Sequence, residues 1–171
     1  MRALLVLLFA LSVAGCGGVD VRQYAAEQPA LELSDYFNGE LEAWGMFQNR
    51  SGEVVKRFHV AMTGTWQGDV GTLDERFTYS DGSTERRVWT LRRQADGSWR
   101  GTAGDVVGEA IGEVSGNALH WRYQLLLKVD GEQYVVDFDD WMFLMDQRVM
   151  LNRARMSKWG IDLGQVTLSF Y

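Results

Sequence analysis

Two groups of side chains in this sequence have the types and spacing for chemistry away from water. Glu75 lies in Leu73-Asp74-Glu75-Arg76-Phe77-Thr78-Tyr79, where its alternate neighbours are all apolar, and Arg87 shares an alternating face with Trp89 and Leu91. If those faces turn inward, a carboxylate and a guanidinium enter an apolar interior, where an unpaired charge is very costly. Three arrangements satisfy that cost: an ion pair on neighbouring strands, a register that leaves both in solvent, or a bound head-group, such as a fatty-acid carboxylate meeting Arg87. The second group is Asp137, Asp139 and Asp140 before Trp141, with Arg153, Arg155 and Lys158 one hairpin later. Neighbouring carboxylates push their pKa values apart and can serve as acid and base. The same residues can equally form cross-strand salt bridges on a wet sheet face.

Other routes to chemistry are poorly provided for. His59 and His120 are the only histidines and fall on distant segments among polar residues, so no metal site is expected. There is no Gly-x-Ser-x-Gly. The glycine-rich stretch 101–112 lacks the Lys-Ser/Thr of a phosphate loop, and its glycines suit bends or bulges. No cofactor is expected.

Cys16 carries a different chemistry. Arg2 supplies a positive charge, and Ala3 to Val13 is an almost unbroken aliphatic run, too short to span a hydrocarbon core, which needs about 20 residues. Val13-Ala14-Gly15-Cys16 then has the form of a bacterial lipobox, predicting a signal peptide over 1–15 and a lipidated Cys16. It is the only cysteine, so no internal disulfide competes for it. Gly17 rather than Asp follows, the pattern of lipoproteins sent to the outer membrane and facing the periplasm. The membrane, reached through Cys16, is thus one expected partner, beside an apolar or fatty-acyl ligand. Protein partners are left open, and a net charge of −6 disfavours nucleic acid.

Positioning Glu75 and Arg87 falls to the elements around them. Residues 16–33 carry the only proline and no clear periodicity, a tether and lead-in, and Ser34 to Gly39 suits one helical turn. From 34 to 171 a single domain is expected. Segments of roughly eight to twelve residues alternate with glycine or Asp-Gly turns such as Asp81-Gly82 and Asp96-Gly97. Within them the period is two: Leu119, Trp121, Tyr123, Leu125 and Leu127 alternate with His120, Arg122, Gln124 and Lys128. This predicts nine or ten strands, at 40–49, 53–66, 70–80, 84–94, 98–103, 107–114, 118–129, 132–145, 147–156 and 162–171. Such strands hide their edges best by closing into an antiparallel up-and-down barrel. An outer-membrane barrel would need an apolar outer face, whereas the second faces here carry Arg86, Arg92, Arg122 and Lys128. A soluble, all-β barrel is expected.

Two resemblances follow. Gly64-Thr65-Trp66 is similar to the Gly-x-Trp signature of lipocalins, whose tryptophan closes the base of a calycin-type ligand-holding barrel. Over nearly the whole chain after the signal peptide, the sequence resembles an uncharacterised bacterial lipoprotein family, domain of unknown function 3833. That resemblance rests on Phe37-Asn38-Gly39 with Ala43-Trp44-Gly45, Gly71 to Glu75, Arg87-Val88-Trp89, Gly101 to Gly108, Asp139 to Met142, Leu151-Asn152-Arg153 and Met156-Ser157-Lys158. It implies no activity. Genes of the family often lie beside genes for modifying fatty acyl chains, which implies a connection with lipids.

The leading expectation is a lipid-anchored, lipocalin-like barrel that binds or carries an acyl chain or another apolar molecule. Its candidate lining is Phe58, Val60, Met62, Trp66, Leu73, Phe77, Trp89, Trp121, Tyr123, Phe138 and Phe143, with Glu75 and Arg87 as polar anchors. The alternatives are a lipid-modifying enzyme of the same fold, with Glu75 or the Asp139-Asp140 pair moving protons, and a structural lipoprotein of the envelope.

Overall fold

The computed structural model describes residues 18–129 and 131–171. The signal-peptide and lipidation readings, Cys16 included, lie outside them.

Alternating apolar and polar residues produce ten strands. They are β1 (Gly39–Asn49), β2 (Val54–Gln67), β3 (Val70–Tyr79), β4 (Thr84–Arg93), β5 (Trp99–Thr102), β6 (Ala110–Ser115), β7 (Ala118–Val129), β8 (Glu132–Leu144), β9 (Met150–Lys158) and β10 (Ile161–Phe170). Each pairs antiparallel with its neighbours in sequence, and β10 returns to β1, with Ala43 opposite Phe170 and Asn49 opposite Gly164. The result is the closed all-β, up-and-down, lipocalin-like barrel. Closure satisfies the backbone groups that a free sheet edge would leave unpaired. The hairpins are tight where the sequence demands it. Gly82 and Gly97 adopt φ of 82° and 84°, and the preceding Asp81 and Asp96 accept from the backbone N–H of Ser83 and Ser98.

Two strands start later than their periodicity suggests. β6 begins at Ala110 because residues 103–109 leave the sheet as a loop that runs along β7: Val107 N–H donates to Gln124 O and Leu126 N–H to Asp105 O. β9 begins at Met150 because Asp146 caps the turn before it, accepting from the N–H groups of Arg148 and Val149 at 2.8 and 2.7 Å. Both departures arise from side-chain and loop hydrogen bonds, which alternation cannot express.

The lead-in is fixed rather than slack from Asp20 onward. A 3-10 turn at Val21–Tyr24, capped by Asp20, sets Tyr24 against Phe143 on the outer wall. Leu31 N–H donates to Gly116 O. A single helical turn, α1 (Leu33–Tyr36), then buries Leu33 and, just beyond it, Phe37, which meets Phe170 edge to face at one end of the barrel. The indole N–H of Trp66 donates to Phe37 O at 2.8 Å, so the tryptophan of the Gly-x-Trp run pins this plug at the barrel base. Barrel and plug together complete every strand pairing and cover their own core within residues 20–171.

Gly64 is where the plug rests. A Cβ there would run into the carbonyl oxygen of Phe37, a backbone atom that cannot swing aside, whereas a Cβ on Gly104 meets nothing. Gly64→Ala is therefore expected to destabilise the fold by about 1–3 kcal/mol, and Gly104→Ala by under about 0.5 kcal/mol, as read from urea denaturation midpoints.

Candidate functional site

Alternation along ten strands points one set of side chains inward, and these do not fill the barrel. A cavity of about 960 Å³ runs from the plug, at Leu33, Phe37 and Phe170, to an open end lined by Tyr79, Leu127 and Leu163. Small-molecule pockets are typically about 300–1,000 Å³. The walls are mostly aromatic and aliphatic.

A polar belt crosses this interior midway. Along each strand its members have inward apolar neighbours: Glu75 between Leu73 and Phe77, Tyr123 between Trp121 and Leu125, Asp140 between Phe138 and Met142, Asn152 between Met150 and Ala154. Arg87 stands directly opposite Glu75 in the β3–β4 register. Its stronger partner comes from the loop after β5. Nε and Nη2 of Arg87 donate to both oxygens of Asp105 at 2.7–3.1 Å, while Nη1 is 3.7 Å from Glu75 Oε2. A two-point guanidinium–carboxylate bond of this kind is the strongest form of the interaction. The guanidinium also lies 5.2 Å above the ring of Phe77.

Across the cavity Asp140 accepts from Tyr123 Oη at 3.3 Å and from Asn152 Nδ2. Burial pushes the Asp140 carboxyl up to about 7, against the lowering effect of the bonds from Asn152 and Tyr123. Burial also pushes Glu75 up to about 7, against the pull of Arg87. Glu75 Oε2 is buried and has no hydrogen-bond partner.

Of the residues singled out in the sequence, Phe58, Met62, Leu73, Glu75, Phe77, Arg87, Trp89, Trp121, Tyr123 and Phe138 line the cavity. Val60 is buried in the wall. Trp66 does not line it: its indole packs edge to face on Trp99 beneath the cavity floor. Phe143 faces outward, stacked on Trp141 under Tyr24, because it is one residue out of step with Asp140 and Met142.

The acidic and basic cluster of β8 and β9 divides in the same way. Only Asp140 enters the barrel. Asp139 points outward to His120 Nε2 at 3.0 Å, so the two adjacent carboxylates lie on opposite faces of the sheet and do not form an acid–base pair. Asp137 accepts from Gln124, Arg155 donates to Asp162, Arg153 is exposed, and Lys158 sits over the rings of Tyr134 and Trp159 at the rim. Asp105 and Asn152 fall in stretches that carry the family resemblance, but neither is among the site residues expected from the sequence. Asn152 is the one polar residue among the inward positions Met150, Asn152, Ala154 and Met156, a signal the alternation does contain. Asp105 lies in a loop without periodicity and had no comparable signal. Among the described residues no three His, Cys, Asp or Glu side chains gather to hold a metal ion, and none of the helices is long and apolar enough to cross a membrane.

The model of a family described as "Protein of unknown function (DUF3833)" matches residues 10–171, and the chain belongs to that family. No curated protein matches it.

The two buried acids make stability depend on pH. Each holds its proton more tightly in the fold than at its ordinary value, 4.5 for Glu75 and 3.8 for Asp140. Between about pH 4 and pH 7 the native state therefore binds more protons than the unfolded one, and stability falls as pH rises through that window. Asp140→Asn keeps a neutral acceptor for Tyr123 and cannot ionise. It is expected to be about 1–3 kcal/mol more stable than the parent at pH 8 and no more stable at pH 4, measured by denaturation at the two pH values.

Proposed function

We propose that this barrel binds one apolar molecule of acyl-chain size in its interior, as a lipid-anchored protein of the cell envelope. The observation that carries the reading is the unfilled cavity of about 960 Å³, open at one end and plugged at the other. Protein interiors pack as densely as organic crystals, and empty space of this size forfeits contacts that a bound molecule restores. A scaffold has no use for such a space. The outward faces, with Arg76, Arg86, Arg92 and Arg122 exposed, lack the continuous apolar band of a barrel embedded in lipid. The lipobox ending at Cys16 supports anchoring at a membrane, and Gly17 after it supports the periplasmic face of the outer membrane. Carriage of a lipid between that membrane and its surroundings suits both features.

One observation favours a second reading, an enzyme acting on the same lipid. Burial pushes Glu75 and Asp140 both up to about 7 inside one cavity, the condition in which a carboxyl can give or take a proton at physiological pH. On that reading Asp140→Asn abolishes conversion of the bound molecule and leaves its binding intact.

Carriage is tested by purifying the chain from Gly18 without detergent and examining it by native mass spectrometry with lipid extraction. The expected result is an apolar compound retained at near one-to-one stoichiometry. Ala154 lines the cavity and is almost fully buried, so Ala154→Phe should obstruct the interior and weaken binding of a fluorescent apolar probe by about tenfold or more. An empty protein that also fails to bind such probes overturns the reading.

A further inference from the structure

Granting that the cavity takes an apolar ligand, the polar belt specifies what that ligand carries. We infer that it bears an uncharged hydrogen-bond donor, a hydroxyl group, set within its apolar skeleton rather than a carboxylate at its end.

The charge of the single guanidinium in the cavity is already matched by acids. Arg87 is held by both oxygens of Asp105 and flanked by Glu75, and Asp140 stands in the same cavity. A carboxylate brought to this level would join Asp105, Glu75 and Asp140 in a cavity that holds one guanidinium, and burial of an unmatched charge is the costly case. One acceptor of the belt is left without a hydrogen bond, with Arg87 Nη1 standing off at 3.7 Å. Glu75 Oε2 is buried, lines the cavity and accepts from nothing. A buried acceptor without a partner forfeits the hydrogen bond that water would give it, and a ligand hydroxyl would restore one.

The belt's depth sets where on the ligand that hydroxyl lies. Below it the lining is Leu73, Trp121 and Phe170, down to the plug; above it come Phe58, Phe77 and Leu125, up to the mouth. A molecule that fills the cavity therefore has apolar substance on both sides of the group that meets Glu75. The lysines near the mouth do not change this reading. Lys56 is taken by Asp81 at 2.9 Å, and Lys128 lies at the rim, where it would hold a carboxylate head outside the belt and leave Glu75 unsatisfied.

The test is competition against a fluorescent naphthylamine probe, using the chain from Gly18 at pH 8 and four competitors of equal chain length: hexadecane, hexadecan-1-ol, hexadecan-8-ol and hexadecanoate. The mid-chain alcohol is expected to displace the probe at about tenfold lower concentration than the hydrocarbon or the acid, the worth of about one buried hydrogen bond. In Glu75→Leu, with its fold checked by near-ultraviolet circular dichroism, that advantage over hexadecane should disappear while probe binding persists. Glu75→Gln, which keeps an acceptor, should preserve it. Hexadecanoate competing as well as or better than hexadecan-8-ol, or an equal advantage surviving in Glu75→Leu, overturns the inference while leaving an apolar cavity in place. Failure of the probe and all four competitors to bind would instead overturn the carriage reading beneath it.

Discussion

A guanidinium stays charged inside an apolar barrel only where anions lie at hydrogen-bond distance, and Arg87 imposes that condition on the surrounding structure. Its main partner, Asp105, does not come from a strand. The chain leaves the sheet after β5, runs residues 103–109 along β7 through the backbone bonds of Asp105 and Val107, and delivers the carboxylate inward. β5 and β6 are the shortest strands of the barrel, and this loop covers the wall beside them. One ion pair thus links the closure of the wall to the electrostatics of the interior. Because Asp105 holds Nε and Nη2 of Arg87 while Nη1 stays 3.7 Å from Glu75, burial outweighs the pull of the cation on the Glu75 carboxyl.

The room inside has an equally local origin. Ten strands enclose more space than their side chains fill, and glycines decide where the largest rings lie. The indole of Trp121 lies against Gly101 and Gly112, where any Cβ would collide with it, so the ring is held flat against the wall instead of crossing the cavity. At the base, Gly64 admits the carbonyl of Phe37, and Trp66 donates to that same oxygen. Small residues thus keep the middle open and the floor closed. The belt of Glu75, Arg87, Tyr123, Asp140 and Asn152 then divides one apolar space into an upper and a lower part.

Strand alternation made much of this legible. The fold class, the turns and which residues share a face of β2, β3, β4 and β7 follow from a period of two and from Asp-Gly pairs; that the Glu75 and Arg87 faces turn inward, with the two residues opposite each other, is decided by the register. Alternation reads less well where two residues of one kind are adjacent. Asp139 and Asp140 differ by one position, and only the register decides which is outside with His120 and which inside with Tyr123. Phe143 misleads for a related reason: an aromatic on an outer face looks like core until Tyr24 of the lead-in is found covering it. Asp105 was illegible because its partner lies 18 residues away and the loop that aims it has no periodicity.

A ligand that fills the cavity enters the barrel and crosses the belt. Tryptophan side-chain resonances report on it directly, since Trp89 and Trp121 line the cavity whereas Trp44, Trp141 and Trp159 lie on the outer face or the rim. Titrating hexadecan-8-ol into isotope-labelled protein should shift the indole N–H signals of Trp89 and Trp121 saturably and leave those of Trp44 and Trp141 in place. Shifts confined to Trp44, Trp141 or Trp159 would place the apolar molecule on the outside and contradict the account.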